Sequence, residues 1–337
     1  MEKPFLTLFL TILMVCSCGD KDDPGKIIDT PKETTYSNPV YPYSMPDPTI
    51  IKGRDGYFYL YATEDTRHTP ICRSTDLVSW TFVGTAFTED TRPTFEPGGG
   101  LWAPDINYIN DQYVLYYSMS KWGGGETCGI GVATAARPGG PFKDHGKLFR
   151  SNEIGVHNSI DPFYIEEDGK KYLFWGSFFG IYAIELTDDG LGLKYGAEKQ
   201  QIAGNAFEAV YIHKKDNYYY MFASIGSCCE GVNSTYRLVV GRSSSLFGPY
   251  VNKTGKDMME NGYDVVVNKN ERFVGNGHCS EIVQDDAGND WILYHGIINE
   301  EDSSGRILLL DQVKWVDGWP EISDGSPSLT ADRPYFK

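Results

Sequence analysis

Five stretches of this 337-residue chain repeat one pattern, and three of them open on a carboxylate in the same register. They run from Asp47-Pro-Thr-Ile-Ile to Tyr-Leu-Tyr-Ala-Thr63, from Trp102-Ala-Pro-Asp to Leu-Tyr-Tyr-Ser118, from Asp161-Pro-Phe-Tyr-Ile to Leu-Phe-Trp-Gly-Ser177, from Glu208-Ala-Val-Tyr-Ile to Tyr-Met-Phe-Ala-Ser224, and from Ser280-Glu-Ile-Val to Leu-Tyr-His-Gly296. In each, sixteen residues separate the first from the last, with a Gly, Asp or Asn turn near the middle. That is the signature of a two-stranded hairpin. Repeated hairpins, each with one face to cover, bury it by radial packing of neighbouring sheets, which predicts an all-β, five-bladed β-propeller in a single domain. If the blades are related by rotation about one axis, equivalent positions converge there, and Asp47, Asp161 and Glu208 meet. Carboxylates gathered in a confined site repel one another and split their proton affinities, a cost for which a fold has no structural need.

Outer-strand counterparts follow the hairpins. Ile71-Cys-Arg-Ser, Gly129-Ile-Gly-Val-Ala-Thr-Ala, Ile181-Tyr-Ala-Ile-Glu-Leu and Leu238-Val-Val-Gly-Arg-Ser-Ser are apolar runs that end near turn formers. The stretch from Arg306 to Pro320 supplies a strand, a Val-Asp-Gly turn and a Trp, and completes the fifth blade. Aromatic residues make up 14% of the chain, which suits strands and sugar-stacking surfaces alike. A formal net charge of −16 argues against nucleic acid or an anionic membrane surface as partner, but not against a neutral polymer.

The apolar run from Pro4 to Val15 is too short to span a membrane comfortably and is followed by Cys16-Ser-Cys18. It resembles a bacterial lipobox with Cys18 as the lipid-bearing residue, and the acidic run after it resembles the surface-export signal of Bacteroidetes lipoproteins. This predicts a signal peptide over residues 1–17, a flexible tether over 18–36, a catalytic domain over 37–337, and an exported lipoprotein anchored to the outer membrane. Beyond Cys18 come Cys72, Cys128, Cys228, Cys229 and Cys279, an odd number without metal-type spacing. The adjacent Cys228 and Cys229 form either a vicinal disulfide or two packed thiols.

Cleaving a glycosidic bond with inversion needs one carboxylic acid to protonate the leaving oxygen and one carboxylate to activate water from the opposite face, roughly 6.5 to 9.5 Å away. A third acidic group can position the acid and raise its proton affinity. With Pro-Asp47-Pro-Thr-Ile, Leu101-Trp-Ala-Pro-Asp105, Asn-Ser-Ile-Asp161-Pro, Gly176-Ser-Phe-Phe-Gly180, Phe-Glu208-Ala-Val-Tyr-Ile, Cys228-Cys-Glu-Gly-Val-Asn-Ser-Thr-Tyr236, Val240-Gly-Arg-Ser243 and Gly277-His278, the chain resembles glycoside hydrolase family 43, five-bladed propellers that act by inversion, over about residues 38 to 325. The Cys-Cys-x-Gly-x-x-Ser-Thr-Tyr element points to the endo-α-1,5-L-arabinanase branch. The resemblance implies Asp47 as general base, Asp161 as tuning and orienting carboxylate, and Glu208 as general acid. It implies substrate contacts at Asn158, Ser177 and Phe178, and one Ca²⁺ or Na⁺ held on the axis by His278 and several waters.

Trp102, at the position the acids occupy elsewhere, reads as a sugar platform or an inter-blade core residue. His295 reads as a packed strand residue, and His68, His145, His157 and His213 carry no site reading. Pro46, Val210 and Cys279 depart from the branch's usual His, Pro and Asn, changes that bear on chain-length preference. The expected partner is a neutral plant polysaccharide such as arabinan. An exo-acting α-L-arabinofuranosidase or β-xylosidase on the same scaffold is the enzymatic alternative, and a glycan-binding propeller without catalysis is the alternative of another class.

Overall fold

The computed structural model describes residues 33–301, 303 and 305–337, so the predicted signal peptide, Cys18 and nearly all of the predicted tether lie outside the described residues. From Thr34 to Lys337 the chain forms one unit. It is almost entirely β, with a single four-residue α-helix, Ser151–Ile154, among the described residues.

The five predicted hairpins all pair. Thr49–Lys52 joins Phe58–Tyr61, Gly100–Ile109 joins Gln112–Ser120, Phe163–Glu167 joins Lys170–Trp175, Glu208–Lys215 joins Tyr218–Ile225, and Val283–Gln284 joins Asp290–Ile298. Register is fixed at the turns. Ile109 pairs with Gln112 and Glu167 with Lys170, leaving two-residue loops in which Asn110 and Asp111, and Asp168 and Gly169, all take positive φ. Both central residues of a type I′ turn need that conformation, which is why Asn, Asp and Gly occupy these loops.

Each of the first three hairpins heads its own four-stranded antiparallel sheet. The fourth and fifth differ from the expected set of like sheets, because they belong to one ten-stranded network. A single parallel pair, Arg237 with Asn276, links them where the bulged strand Phe273–Cys279 swings alongside Arg237–Ser243. The fifth inner strand is also shorter than predicted. Side chains take over part of its ladder: Ser280 N still donates to Leu293 O at 2.8 Å, but Leu293 N donates to Ser280 Oγ, and the Glu281 carboxylate accepts from Ile50 N at 2.7 Å.

Alternation along each strand sends side chains to both neighbouring sheets. Tyr59 and Tyr61 pack with Leu115 and Tyr117, while Phe58 and Leu60 pack with Trp291, Leu293 and Leu308. Val114 and Tyr116 pack with Leu173 and Trp175, while Phe163 and Phe174 join a cluster with Phe222 and Tyr294. Sheets covered on both faces read as continuous apolar runs, as these strands do. Truncating one such buried aromatic to Ala costs about 3–5 kcal/mol.

The two ends of the unit are pinned together. Tyr41–Ser44 pairs with Ile307–Val316, and Thr35–Ser37 pairs with Thr330–Asp332. The tether boundary expected at residue 36 is therefore corrected: Tyr36 is buried, and its hydroxyl donates to Leu310 O at 2.6 Å. A segment of polar composition enters the fold because a strand from the far end of the chain offers it a ladder.

Candidate active site

One cavity of about 570 Å³ is lined by Asp47, Asp161 and Glu208, and also by Trp102, Asn158, Ser177, Phe178 and His278. All eight residues singled out in the sequence face this one space. The three acids are buried and sit where their strands begin. Here the backbone is unusual: Asp47, Asp161 and His278 have φ of 53°, 60° and 47°, and Ala103 and Ala209, each following the first residue of its hairpin, have 40° and 57°. Non-glycine residues in this region cost of order 1–3 kcal/mol each, a strain that surrounding contacts must hold in place.

Those contacts run from one hairpin to the next. Thr63 Oγ1 accepts from Ala103 N at 2.7 Å, Ser118 Oγ accepts from Asp161 N at 2.9 Å, Ser177 Oγ donates to Glu208 Oε2 at 2.6 Å, and Ser224 Oγ accepts from His278 N at 2.9 Å. In every case a hydroxyl closing one hairpin bonds to the opening of the next. The fifth hairpin ends in glycine, and His295 takes the place of the hydroxyl, its Nδ1 lying 3.2 Å from Asp47 N.

The acids differ in electrostatic setting. Burial penalises the Asp47 charge, but Arg306 Nη1 at 2.7 Å and His278 Nδ1 at 3.2 Å from Oδ1 outweigh it and hold the carboxyl well below its usual range. Thr63 Oγ1 donates to the other oxygen at 2.6 Å. Burial raises the proton affinity of Asp161, and the nearby Glu208 raises it further, while Asp161 Oδ2 accepts from Ala209 N at 3.1 Å. Burial likewise raises Glu208, against hydrogen bonds from Ser177 and Tyr236. One carboxylate is kept ionised, and two neighbouring ones favour holding a proton between them.

His278 is raised: burial opposes its charge, but Asp47, Asp161 and Glu208 together favour it. With Nδ1 engaged by a carboxylate, a histidine keeps Nε2 for a second partner, an arrangement that suits a metal ligand. No group of three or more His, Cys, Asp or Glu with metal-binding geometry exists among the described residues.

Sequence reasoning missed Arg306, His295, Tyr236 and Thr63. Arg306 was legible only as the first residue of an apolar strand. His295 is packed, as expected, yet its Nδ1 also lies 3.2 Å from Asp47 Oδ1, and its buried Nε2 has no partner among the described residues. Burial and the charge of Arg306 depress it to about 4, so it stays neutral, with Tyr236 stacked on its ring at 5.5 Å. His157, which carried no signal, lines the cavity in edge contact with Phe179. The question left open at Cys228 and Cys229 resolves as a vicinal disulfide in the cavity wall, with Cys72, Cys128 and Cys279 free and buried.

The sequence model of the family described as "Glycosyl hydrolases family 43" matches residues 36–320. An extracellular endo-α-(1→5)-L-arabinanase of Bacillus subtilis is 34% identical over 285 residues, covering 81% of this chain and 86% of the relative. An extracellular exo-α-(1→5)-L-arabinofuranosidase, ArbA, of Cellvibrio japonicus is also 34% identical, over 308 residues, covering 82% and 86%. Among solved structures, the Cellvibrio cellulosa α-L-arabinanase complexed with arabinohexaose is similar with a TM-score of 0.76 at 33% identity, covering 84% of this chain and 96% of that one.

Proposed function

The chain belongs to glycoside hydrolase family 43, and from that premise we propose that it hydrolyses α-1,5-linked L-arabinan with inversion, as an endo-acting enzyme. The observation that carries the reading is the split among the acids around one cavity: Asp47 ionised, Asp161 and Glu208 disposed to share a proton. Asp47, held charged by Arg306, takes a proton from the attacking water. Glu208 gives its proton to the leaving oxygen. Asp161, whose own proton affinity burial and then Glu208 raise, would serve as the tuning and orienting carboxylate, fixing the Ala209 amide beside that acid. Inversion requires the base and the acid on opposite faces of the sugar with room for a water between them.

A five-bladed propeller is the architecture that accounts for the hairpin-to-hairpin bonds returning from His295 to Asp47. On this scaffold His278 would hold a Ca²⁺ or Na⁺ through Nε2, its Nδ1 kept toward Asp47, with water completing the shell; the ion would supply positive charge near the developing leaving group. Asn158, which donates to Ser177 Oγ at 3.0 Å, Ser177 itself, Phe178 and Trp102 form the sugar-contacting wall. The leader features and the extracellular relatives support export, and Cys18 would carry a lipid anchor to the outer membrane.

Exo action is the second reading, because the Cellvibrio exo-acting relative matches as well as the Bacillus endo-acting one. Early products from linear arabinan separate the two. A ladder of oligosaccharides is expected, a single small product from the start would establish exo action, and intact arabinan together with intact arabino-oligosaccharides would refute both.

A further inference from the structure

At the far end of the first two hairpins from the acids lies a separate groove of about 850 Å³, sharing no lining residue with the catalytic cavity. The strand from Trp102 to Ile109 separates the two, roughly 20 Å at the rise of extended chain. Arg54, Arg73 and Arg137 all line it, in a protein whose acids outnumber its bases by 46 to 30. Two of these arginines have no carboxylate partner among the described residues. Arg73 lies over the Tyr57 ring at 4.6 Å, and the Arg137 guanidinium has no hydrogen-bond or ion-pair partner among the described residues. Arg54 donates to the Tyr108 hydroxyl at 2.9 Å and reaches Asp111 only at 3.8 Å, with both charges largely exposed.

We propose that this groove is a second, non-catalytic glycan site that takes a uronate-bearing saccharide. Guanidinium groups bind planar carboxylates through paired, charge-assisted hydrogen bonds, so unpaired arginines select an anionic ligand. The half-exposed Tyr108 ring, with the Arg54 guanidinium over it at 5.8 Å and Tyr113 packed against it, offers its remaining open surface to a sugar's C–H face. Asp55 and Asp111, in the same groove, supply acceptors for sugar hydroxyls and lower its net charge, which suits one charge per sugar and disfavours a compact dianion such as phosphate. The site goes beyond the catalytic reading. It would hold the protein on acidic stretches of a mixed polysaccharide while the cavity on the other side works on neutral ones.

The test is calorimetric titration of the full chain with trigalacturonate, arabinotriose and sodium phosphate at about 0.15 M ionic strength. Trigalacturonate is expected to bind with Kd below about 1 mM. Arg137→Ala, a change at an exposed side chain, is expected to weaken it several-fold, and Arg73→Ala with Arg137→Ala at least tenfold. Hydrolysis of short arabino-oligosaccharides and the binding of arabinotriose should stay as in the parent protein. No trigalacturonate binding, binding that survives loss of both arginines, or phosphate binding of equal strength would each overturn the proposal, and none of these outcomes touches the assignment of the three acids.

Discussion

The guanidinium of Arg306 stands 2.7 Å from Asp47 Oδ1, although 259 residues separate the two in sequence. This contact offsets the burial of the carboxylate and keeps it ionised. Removing it leaves a buried charge with two histidines and the Thr63 hydroxyl as partners and no guanidinium, and breaking a buried pair costs about 3–5 kcal/mol. Arg306→Ala is therefore expected to lower kcat/KM by about 10²-fold and to move the acid limb of its pH profile upward, because Asp47 then needs a higher pH to ionise. The sign for stability follows: a carboxyl whose pKa is depressed on folding stabilises the fold above its unfolded value near 4 and loses that contribution as pH falls through the folded one. The variant should show a smaller loss on acidification than the parent. An acid limb that does not move would show that Asp47 is not the titrating base.

Glu208 presents the complementary test. Its Oε2 accepts from Ser177 and burial raises its proton affinity, so Glu208→Gln keeps shape and hydrogen-bonding capacity while removing the transferable proton. The rate on arabinan should fall by about 10²- to 10⁴-fold with sugar affinity retained. An aryl arabinoside with a good leaving group needs less protonation and should lose much less. Equal losses on both substrates would exclude Glu208 as the general acid.

What the sequence disclosed follows from its periodicities. Sixteen-residue spacing made the hairpins visible, and a shared register brought Asp47, Asp161 and Glu208 to one cavity, because position along a strand determines position in space. Arg306 and His295 were invisible for the converse reason. They reach Asp47 from strands of the fifth hairpin's sheet, and nothing local distinguishes an arginine opening an apolar strand from an ordinary surface residue. The joining of the fourth and fifth hairpins into one network depends on one parallel pair, below any sequence signal. Tyr36 was misassigned because its partner strand lies at the other end of the chain.

The vicinal disulfide offers a further prediction. Cys228 and Cys229 form part of the cavity wall, in a loop whose other end is tied back by Thr235 N and Tyr236 N donating to Ser227 O. Opening the disulfide frees the turn without touching the three acids. Treatment with a dithiol, or the Cys228→Ser and Cys229→Ser double change, should raise KM several-fold while leaving the pH dependence of kcat in place. A shifted pH profile would mean that the loop also sets the acids' environment through Tyr236.

A second carboxyl pair lies beneath the first, and it governs stability rather than chemistry. Asp105 Oδ2 accepts from Tyr164 N at 2.9 Å and from Asn107 Nδ2 at 2.7 Å, while Glu281 accepts from Ile50 N at 2.7 Å and Thr49 Oγ1 at 2.8 Å, so the pair ties together four of the hairpins. Burial raises both acids, and each perturbs the other, so the folded protein retains a proton here that the unfolded chain releases. A carboxyl whose pKa is raised on folding favours the native state at low pH and costs stability as pH climbs from its unfolded value near 4 toward the folded one, by up to about 1.4 kcal/mol per pH unit for one proton. Asp105→Asn replaces the shared proton with an amide N–H that still donates to Glu281. Urea unfolding between pH 5 and pH 9 should then show a flatter decline in stability for the variant than for the parent. If the two curves stay parallel, the pair does not hold an extra proton in the native state. The opposite net shifts at Asp47 and at Asp105, both buried, would then have to arise from something other than whether a cation stands within reach.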